Sequence, residues 1–319
     1  MTRRIVLDTD IGTDVDDALA LALALASPEL ELVAITTVSG DTALRARIAA
    51  RLLALAGRTD VPVHAGCEQP LAPGGGFAQG GHEGEGILDG TPTPFSTEPA
   101  VDALLRLFRT GDGLELVAIG PLTNIAVALE RDPGLARRVV RLTVMGGWMR
   151  AVTIEGRSLP PSIDYNLCSD EVASRRVLSS GIPIRLVTPD VTVQVWLTED
   201  DVTGLERGAS PLQLALGRAT RVWVPRQRHL FAGLGTPLAP DMAAFLHDPL
   251  TLACAYDESF CRIEALAIEP VTVDGVFRTR VCAAGAAGGS RMRCATAVDA
   301  TRFTDHVRHR LGIGRSGIG

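Results

Sequence analysis

The stretch from Arg3 to Leu25, RRIVLDTDIGTDVDDALALALAL, places the strongest constraint on how this chain can fold. Its first six residues (Arg3 to Asp8) have strand-like character, and an apolar helix is predicted over Val15 to Ala26. Asp8 and Asp10 alternate with period two, so at the end of a strand their side chains point to the same side. The stretch therefore predicts a strand, a loop rich in carboxylates and a helix, in that order.

The carboxylates of this stretch create a conflict of charge. Five aspartates stand within ten positions: Asp8, Asp10, Asp14, Asp16 and Asp17. We expect Asp14 to Asp17 in the first helical turn, where Asp14 and Asp17 share one face. Two like charges at roughly 4 Å repel by about 4 kcal/mol at an effective dielectric constant of about 20, and a helix N-terminus returns only about 0.3–1 kcal/mol per carboxylate. A bound divalent cation is the simplest way to remove this deficit.

The composition of the chain argues against several functional classes. A formal net charge of −6 argues against nucleic acid as the main partner. The sequence contains no lysine, which excludes Schiff-base and Walker-type lysine mechanisms. Six cysteines without C-x-x-C spacing are expected to be reduced thiols rather than zinc ligands. No apolar run reaches membrane length and no targeting segment precedes the first strand, so we expect a cytoplasmic protein without a membrane partner.

The order of the predicted elements indicates an α/β fold in one domain over residues 1–319. Strand, helix, strand, helix and strand follow one another up to residue 65, which is typical of a parallel sheet with crossover helices. Ligands of such sheets bind beyond the carboxyl ends of the strands, where Asp8, Asp10 and Asp41 are expected. Residues 150–163 are predicted to be irregular, and residues 312–319 form a frayed tail.

Residues 66–99 form a long Gly- and Pro-rich segment. A loop of this length inside a compact domain is usually a functional lid or a mobile segment. His82 lies within it and is either a solvated loop side chain or, once the loop folds over the site, a group that faces the substrate.

Six short motifs stand in order along the chain. They are DTDIGTDVDDALAL from Asp8, TTVSGDT from Thr36, GPLTNIA from Gly120, MGG from Met145, DYN from Asp164 and HDPL from His247. In combination they resemble the motifs of the inosine–uridine-preferring nucleoside hydrolase family. The resemblance implies an open, mostly parallel, mixed β-sheet flanked by helices, which is the Rossmann-like nucleoside hydrolase fold. It also implies a bound calcium ion, hydrolysis of ribonucleosides to free base and ribose, and a homo-oligomer (dimer or tetramer).

The resemblance further implies a role for individual residues. The ligands of Ca2+ would be Asp10, Asp17, the main-chain carbonyl of Thr123 and Asp248. Asp10 would also act as the general base on a calcium-bound water, and His247 would protonate the leaving base. Asp16, Asn166 and Asp248 would hold the ribose hydroxyls, and Asp164 would contact the 5′ side. Further candidates for substrate contacts, which the residues and not the resemblance suggest, are Asp41, His82, Met145 and Tyr165.

The chemistry of these residue types agrees with such roles. Carboxylate and carbonyl oxygens suit calcium or magnesium, whereas zinc prefers nitrogen or sulfur ligands. Glycosidic cleavage passes through an oxocarbenium-like state, whose positive charge a group of carboxylates stabilises. The departing base needs a proton or a strong hydrogen bond, and a histidine such as His247 ordinarily titrates in the useful range.

Three residues have open assignments. Asp8 is expected to orient the site without binding the metal. The aspartate block is two residues longer than the shortest form of the family motif, which leaves Asp14 without a role. Trp223 either stacks on a nucleobase or belongs to the core, and the same alternatives hold for Trp148, Tyr165 and Phe231. Of these, Tyr165 is favoured for stacking because it adjoins Asn166.

Two substitutions within the motifs concern the sugar. Asp164 stands where glutamate is commoner, with Ser158 near the position of an upstream asparagine, so the contacts on the 5′ side are open. Asp41 stands where many members have asparagine; a carboxylate there accepts a hydrogen bond from a ribose hydroxyl but cannot donate one.

Two alternatives to a nucleoside hydrolase remain at the level of sequence. A haloacid-dehalogenase-type phosphatase would use Asp8 as phosphoryl nucleophile with magnesium, but Ile11 breaks its motif spacing and no lysine is present. A nucleoside- or sugar-binding module would keep the calcium without turnover, and Asp10 together with His247 argues against it. No motif distinguishes a purine from a pyrimidine base.

Overall fold

The computed structural model describes residues 2–73, 76–77, 79–111, 113–154, 156–236, 238–283 and 289–314. Its strands, numbered along the chain, are β1 (Arg3–Thr9), β2 (Leu30–Thr37), β3 (Val63–Ala65), β4 (Leu114–Ala118), β5 (Leu142–Met145), β6 (Val152–Ile154), β7 (Arg157–Leu159), β8 (Ile184–Val187), β9 (Trp196–Thr198), β10 (Met242–Phe245), β11 (Cys261–Val273), β12 (Val276–Val281) and β13 (Ser290–Val298).

Nine of the described strands form one mixed sheet in the order β12-β11-β13-β8-β5-β4-β1-β2-β3. The pairs from β13 through β8, β5, β4, β1 and β2 to β3 are parallel, and β11 is antiparallel to both β12 and β13. From β1 the chain builds outward to β2 and β3 on one side, and β4 then pairs with the opposite edge of β1. The crevice at the carboxyl ends of β1 and β4 is therefore a topological switch point, where open α/β sheets bind ligands.

Helices cover both faces of this sheet. They are α1 (Asp16–Leu25), α2 (Thr42–Leu55), α3 (Ala100–Thr110), α4 (Thr123–Arg131), α5 (Leu135–Arg138), α6 (Tyr165–Cys168), α7 (Glu171–Leu178), α8 (Pro189–Thr192), α9 (Glu199–Glu206), α10 (Pro211–Gly233), α11 (His247–Tyr256) and α12 (Ala300–Arg310). Alternate residues of β1 serve the two faces: Ile5 and Leu7 pack with α1, α2 and α11, whereas Val6 packs with α3 and α4.

The first helix is buried from Asp16 to Ala24. Its Ala-Leu alternation has the period of a strand, but alanine and leucine are the strongest helix formers, and ten residues suit a helix better than a buried strand. The helix begins at Asp16, and Val15 is its N-cap. Asp14 therefore lies in the loop before the helix, which corrects its predicted place in the first turn.

The structure departs from the predicted elements at residues 150–163, which were expected to be irregular. Strands β6 and β7 form a short antiparallel hairpin there, and Val152, Ile154 and Leu159 are buried. Three-residue strands are too short to show a clear period in the sequence. The predicted frayed tail lies largely outside the described residues, which end at residue 314.

Within the described ranges, none of the helices combines the length and apolarity that crossing a lipid bilayer requires.

Candidate active site

A cavity of about 270 Å³ opens at the carboxyl ends of β1, β4 and β5. Asp10 follows β1, Ile119 follows β4 and Met145 ends β5, and all three line the cavity. The buried inner end carries carboxylates, and apolar side chains form the outer wall. The cavity thus lies at the switch point of the sheet, beyond the carboxyl ends of the strands, where the sequence predicts that ligands bind.

Three carboxylates meet at the inner end of the cavity. Asp16 and Asp17 come from the first turn of α1, and Asp248 comes from the first turn of α11, which packs against α1. All three are buried, and one carboxylate oxygen of each lies within 4.8 Å of the other two. The backbone N–H of Asp248 donates to Oδ2 of Asp16 at 3.4 Å, and the hydroxyl of Thr9 donates to Oδ1 of Asp17. Such a set can hold a divalent cation.

Asp10 lies beside this group in a loop that a buried arginine holds. Arg45 of α2 is 1 % exposed. Its Nη1 donates to the carbonyl oxygens of Asp10 and Ile11, the latter at 3.0 Å, and its Nη2 donates to Oγ1 of Thr13 at 3.1 Å. A Cβ atom at Gly120 would lie 2.9 Å from both the backbone nitrogen and Oδ1 of Asp10. Only glycine fits there, which explains the first residue of the GPLTN motif.

Burial without a matching positive charge raises the pKa of the aspartates in this region. Burial raises the pKa of Asp10 to about 6, against a lowering effect of the Arg45 guanidinium. Burial and the neighbouring Asp17 and Asp10 raise the pKa of Asp14 to about 8. Burial, followed by the charges of neighbouring aspartates, raises the pKa of Asp16, Asp17 and Asp248 well above the ordinary value. The inner end of the cavity therefore favours a bound cation.

Asp8 and Thr123 lie behind the cavity wall, and neither lines the cavity. The Asp8 carboxyl accepts hydrogen bonds from Thr36 at 2.5 Å and from Asn124 at 2.8 Å, and burial raises its pKa to about 7. Thr123 is the first residue of α4, and its hydroxyl donates to Asp170 at 2.7 Å. This placement of Asp8 agrees with a supporting role, and the metal role of the Thr123 carbonyl stays a prediction.

Met145, Asp164, Tyr165 and Asn166 line one side of the cavity. The Asn166 amide donates to the carbonyl oxygens of Ile119 and Met145, at 2.9 and 3.2 Å, which fixes the orientation of its side chain. Burial raises the pKa of Asp164 to about 6, although its carboxyl caps α6 by accepting from the backbone N–H of Leu167 at 3.2 Å. The structure thus brings these four predicted residues together.

His247 also lines the cavity, at the start of α11. Its Nδ1 lies 2.6 Å from the hydroxyl oxygen of Thr192, and its ring lies 5.3 Å from that of Phe245. Burial lowers the pKa of His247 to about 4. The imidazole is therefore neutral at pH 7, which corrects the expectation that it titrates near neutrality.

Trp223 and Asp14 line the cavity where it adjoins a second, smaller pocket, and His82 lines only the smaller one. The His82 ring stacks against Trp223 at a centroid distance of 6.2 Å, and Nε2 of His82 lies 2.8 Å from the carbonyl oxygen of Thr13. His82 is buried, so it is not a solvated loop side chain, and it lies behind Trp223.

The structure does not bring Asp41 into the cavity. Its side chain is exposed and accepts a hydrogen bond from the backbone N–H of Leu44 at 2.8 Å, so it is the N-cap of α2. A short carboxylate directly before a helix satisfies the free backbone donors of the first turn, which explains this placement.

The family model described as inosine-uridine preferring nucleoside hydrolase matches residues 5–305 of the chain. The chain belongs to this family. The pyrimidine-specific ribonucleoside hydrolase RihA of Photobacterium profundum is 34% identical over 262 residues, 79% of each chain. RihA of an Enterobacter species is 35% identical over 263 residues, again 79% of each.

Solved structures of nucleoside hydrolases are similar over almost the whole chain. A plant nucleoside hydrolase, the PpNRh1 enzyme, is 27% identical, with 99% of this chain and 100% of that chain covered and a TM-score of 0.82. A purine-preferring ribonucleoside hydrolase from Gardnerella vaginalis is 25% identical, with the same coverage and a TM-score of 0.83. The predicted family, fold and enzyme class are confirmed. This nucleoside hydrolase is an N-glycosyl hydrolase, so the phosphatase and the non-catalytic module are set aside.

Two side chains of this nucleoside hydrolase carry no signal in the local sequence. Arg45 looks like its neighbours Arg47 and Arg51 on the same helix, and its partners in the loop after β1 lie 32 to 35 residues earlier. Thr192 is 55 residues from His247. Asn124, which holds Asp8, belongs to the GPLTN motif, so a motif comparison would find it.

Proposed function

We propose that this nucleoside hydrolase cleaves the N-glycosidic bond of ribonucleosides with a Ca2+ ion held by Asp10, Asp17, Asp248 and the main-chain carbonyl of Thr123. One observation carries the proposal: oxygens of Asp16, Asp17 and Asp248 converge within 4.8 Å at the inner end of a cavity that Asp10 also lines. Asp16, which faces the same point, would bind the ribose.

The residues present fit a calcium ion. The converging atoms are carboxylate oxygens, which hard cations prefer, and no histidine or cysteine belongs to the group among the described residues. Burial raises the pKa of Asp10, Asp16, Asp17 and Asp248, and repulsion between carboxylates raises it further at the last three. The Arg45 guanidinium opposes the effect of burial at Asp10. A divalent cation would offset that unbalanced charge. When bound, it would also attract the ribose hydroxyls and acidify water.

Asp10 would take the proton from the attacking water. Burial raises the pKa of Asp10 to about 6 in the metal-free site, and a bound cation would lower it, so the carboxylate would be ionised at pH 7 and able to accept a proton. The Arg45 guanidinium and the close approach of Gly120 hold Asp10 in one place. A fixed base near the reacting carbon lowers the entropy cost of the reaction.

The sugar would lie between the carboxylates and the side formed by Asp164 and Asn166. Asp16 and Asn166 would hold the ribose hydroxyls, and Asp164 the 5′ side. As the bond to the base breaks, positive charge develops on the sugar ring, and the surrounding carboxylates stabilise that charge more than they stabilise the neutral substrate.

His247 would assist the leaving base as a neutral hydrogen-bond donor. The Thr192 hydroxyl, 2.6 Å from Nδ1, would donate to that nitrogen, and the ring would then carry its proton on Nε2. A pKa of about 4 keeps the ring uncharged in the resting enzyme. The Nε2–H would donate a hydrogen bond that strengthens as the departing base acquires negative charge, and the proton would stay on the ring because a neutral imidazole is a weaker acid than the free base.

The experiment incubates the purified protein with a panel of purine and pyrimidine ribonucleosides and phosphate esters, with and without a calcium chelator. Free ribose that appears only with calcium supports the proposal. Ribose release that survives full chelation contradicts the calcium role, and phosphate release contradicts the reaction. From the family alone, we also propose that the protein forms a homo-oligomer, lies in the cytoplasm and serves nucleoside salvage. Light scattering measures the oligomeric state.

A further inference from the structure

The mouth of the cavity is unusually apolar. Ile163, Leu230 and Leu234 are 62 %, 52 % and 51 % exposed, and all three line the cavity. Exposed apolar side chains that are scattered singly need no explanation, but a group of them around one opening marks a binding surface. Their position at the opening of the catalytic cavity indicates that this surface belongs to the substrate site.

One face of α10 forms most of the apolar side of the cavity, which we call the apolar wall. Trp223, Gln227, Leu230 and Leu234 are spaced by four, three and four residues, so they lie along one side of the helix and its C-cap. Together they run from the inner part of the cavity to its mouth.

The wall is continuous with the side proposed to receive the leaving base. The Phe231 ring lies 4.9 Å from that of Phe245, and the Phe245 ring lies 5.3 Å from that of His247. All three rings line the cavity. The apolar path therefore starts at the residue that would donate to the base and ends at Leu230 and Leu234.

The polar groups of Gln227 and Trp148 in this wall already form hydrogen bonds within the protein. Oε1 of Gln227 accepts from the indole of Trp223 at 3.2 Å and from the backbone of Phe245 at 3.0 Å, and Nε2 donates to the carbonyl oxygen of Ala243 at 3.2 Å. The indole N–H of Trp148 donates to the carbonyl oxygen of Arg150 at 2.7 Å. A ligand group on this wall would find apolar surface and few free hydrogen-bond partners.

We propose that this wall, formed by Phe231, Leu230 and Leu234, binds an apolar group carried by the leaving base. The enzyme would then prefer ribonucleosides whose base bears an alkyl or aryl substituent over the unmodified nucleosides. The proposal rests on the proposed function, because it takes the His247 side of the cavity as the side of the base. Each buried methylene of the substituent removes apolar surface from water and strengthens binding.

The test measures kcat/KM for ribose release from two series of substrates. One is adenosine with N6-methyl, N6-propyl and N6-hexyl groups, and the other is uridine with the same groups at C5. We expect kcat/KM to rise about two- to four-fold for each added methylene in at least one series. An N6-(5-aminopentyl) group, which has the length of the hexyl group but ends in a charge, should lose most of this gain.

A double variant, Leu230→Ser with Leu234→Ser, assigns the effect to the wall. We expect it to flatten the dependence on chain length to less than about 1.5-fold per methylene. Val140→Ser is the matched control, since Val140 is 47 % exposed and does not line the cavity. It should keep the wild-type dependence.

Three outcomes would overturn the proposal. The first is a flat or falling dependence in both series, and the second is a dependence on chain length that the double variant leaves unchanged. The third combines two results: the wild type shows a flat dependence on chain length, and the double variant has a lower oligomeric mass than the wild type. Together they would show that a second copy covers Leu230 and Leu234. Absence of ribose release from every nucleoside would instead contradict the proposed function, so the two failures are distinguishable.

Discussion

Arg45 donates a hydrogen bond from its guanidinium to the main-chain carbonyl oxygen of Asp10, a residue 35 positions earlier in the chain. The same group also donates to the Ile11 carbonyl and the Thr13 hydroxyl, so one side chain fixes the loop between β1 and α1. Its charge is also what lowers the pKa of Asp10 against the effect of burial. Arg45 therefore sets both the position and the protonation of the proposed base.

Replacing Arg45 by methionine should release the loop between β1 and α1 from α2 and leave the rest of the fold in place. Loss of buried, charge-assisted hydrogen bonds is expected to lower the free energy of unfolding by about 2–4 kcal/mol. The calcium affinity and kcat should each fall at least about ten-fold, because Asp10 loses its fixed position. Chemical denaturation, calcium titration and ribose release measure the three quantities.

Two further variants locate the cause. Arg45→Lys keeps the charge but not the planar fork, so its losses should be intermediate. Arg47→Met changes an exposed arginine on the same helix and should leave all three quantities near those of the wild type. Full activity and calcium affinity in Arg45→Met would show that the loop holds its shape without the guanidinium.

The parts of the site that are contiguous in the chain could be predicted from the sequence, whereas contacts made across the fold could not. The strand, loop and helix from Arg3 to Leu25 are contiguous, so their pattern predicts both the fold at that point and the carboxylates that line the cavity. Arg45 is different, because its function depends on contacts made across the fold, and nothing in its neighbours marks it. The hairpin at residues 152–159 has strands of only three residues, too short for a periodic signal.

The free energy of unfolding of the calcium-free protein should fall as pH rises from about 4 to about 7. An aspartate whose pKa is raised by folding binds more protons in the folded than in the unfolded state, so rising pH destabilises the fold between the two values. The pKa values of Asp10, Asp8 and Asp14 are raised to about 6, 7 and 8. Each contributes up to about 1.4 kcal/mol per pH unit while it keeps its proton.

His247 acts in the opposite sense, because its pKa is lowered to about 4 and stability due to it rises between about pH 4 and 6.5. The aspartates outnumber it, so the net slope should be negative. Thermal unfolding at several pH values, with chelator and with calcium, measures this slope. Calcium should raise Tm more at pH 8 than at pH 5, since protons compete for the same carboxylates. A calcium effect independent of pH would contradict this arrangement.

Asp10→Asn should abolish most turnover and leave the fold intact. Asparagine has nearly the same shape but cannot accept the proton of the attacking water, so kcat is expected to fall at least about 10³-fold. The far-UV spectrum and unfolding cooperativity should be unchanged. Asp60→Asn, at an exposed aspartate paired with Arg58, is the control. Near-normal ribose release from Asp10→Asn would contradict the assignment of Asp10 as the general base.

Asp41→Asn should change kcat/KM by less than about two-fold. Asp41 caps α2 from an exposed position, and asparagine caps a helix as well as aspartate does. Asp41→Ala, which cannot cap, should cost about 1 kcal/mol of stability with little effect on KM. A KM that rises several-fold in Asp41→Asn would show that this side chain reaches the ribose after all, as the sequence motif predicts.

Thr192→Val should weaken the proposed assistance to the leaving base without removing His247. The Thr192 hydroxyl lies 2.6 Å from Nδ1 of His247, and valine keeps its shape but donates no hydrogen bond. The proton would then no longer be held on Nε2, so kcat for ordinary nucleosides should fall about ten-fold. A 4-nitrophenyl riboside, whose leaving group needs no proton, should be hydrolysed at close to the wild-type rate. His247→Gln should show the same selectivity with a larger loss. An equal fall for both classes of substrate in Thr192→Val would mean that the threonine serves the fold and not the departure of the base.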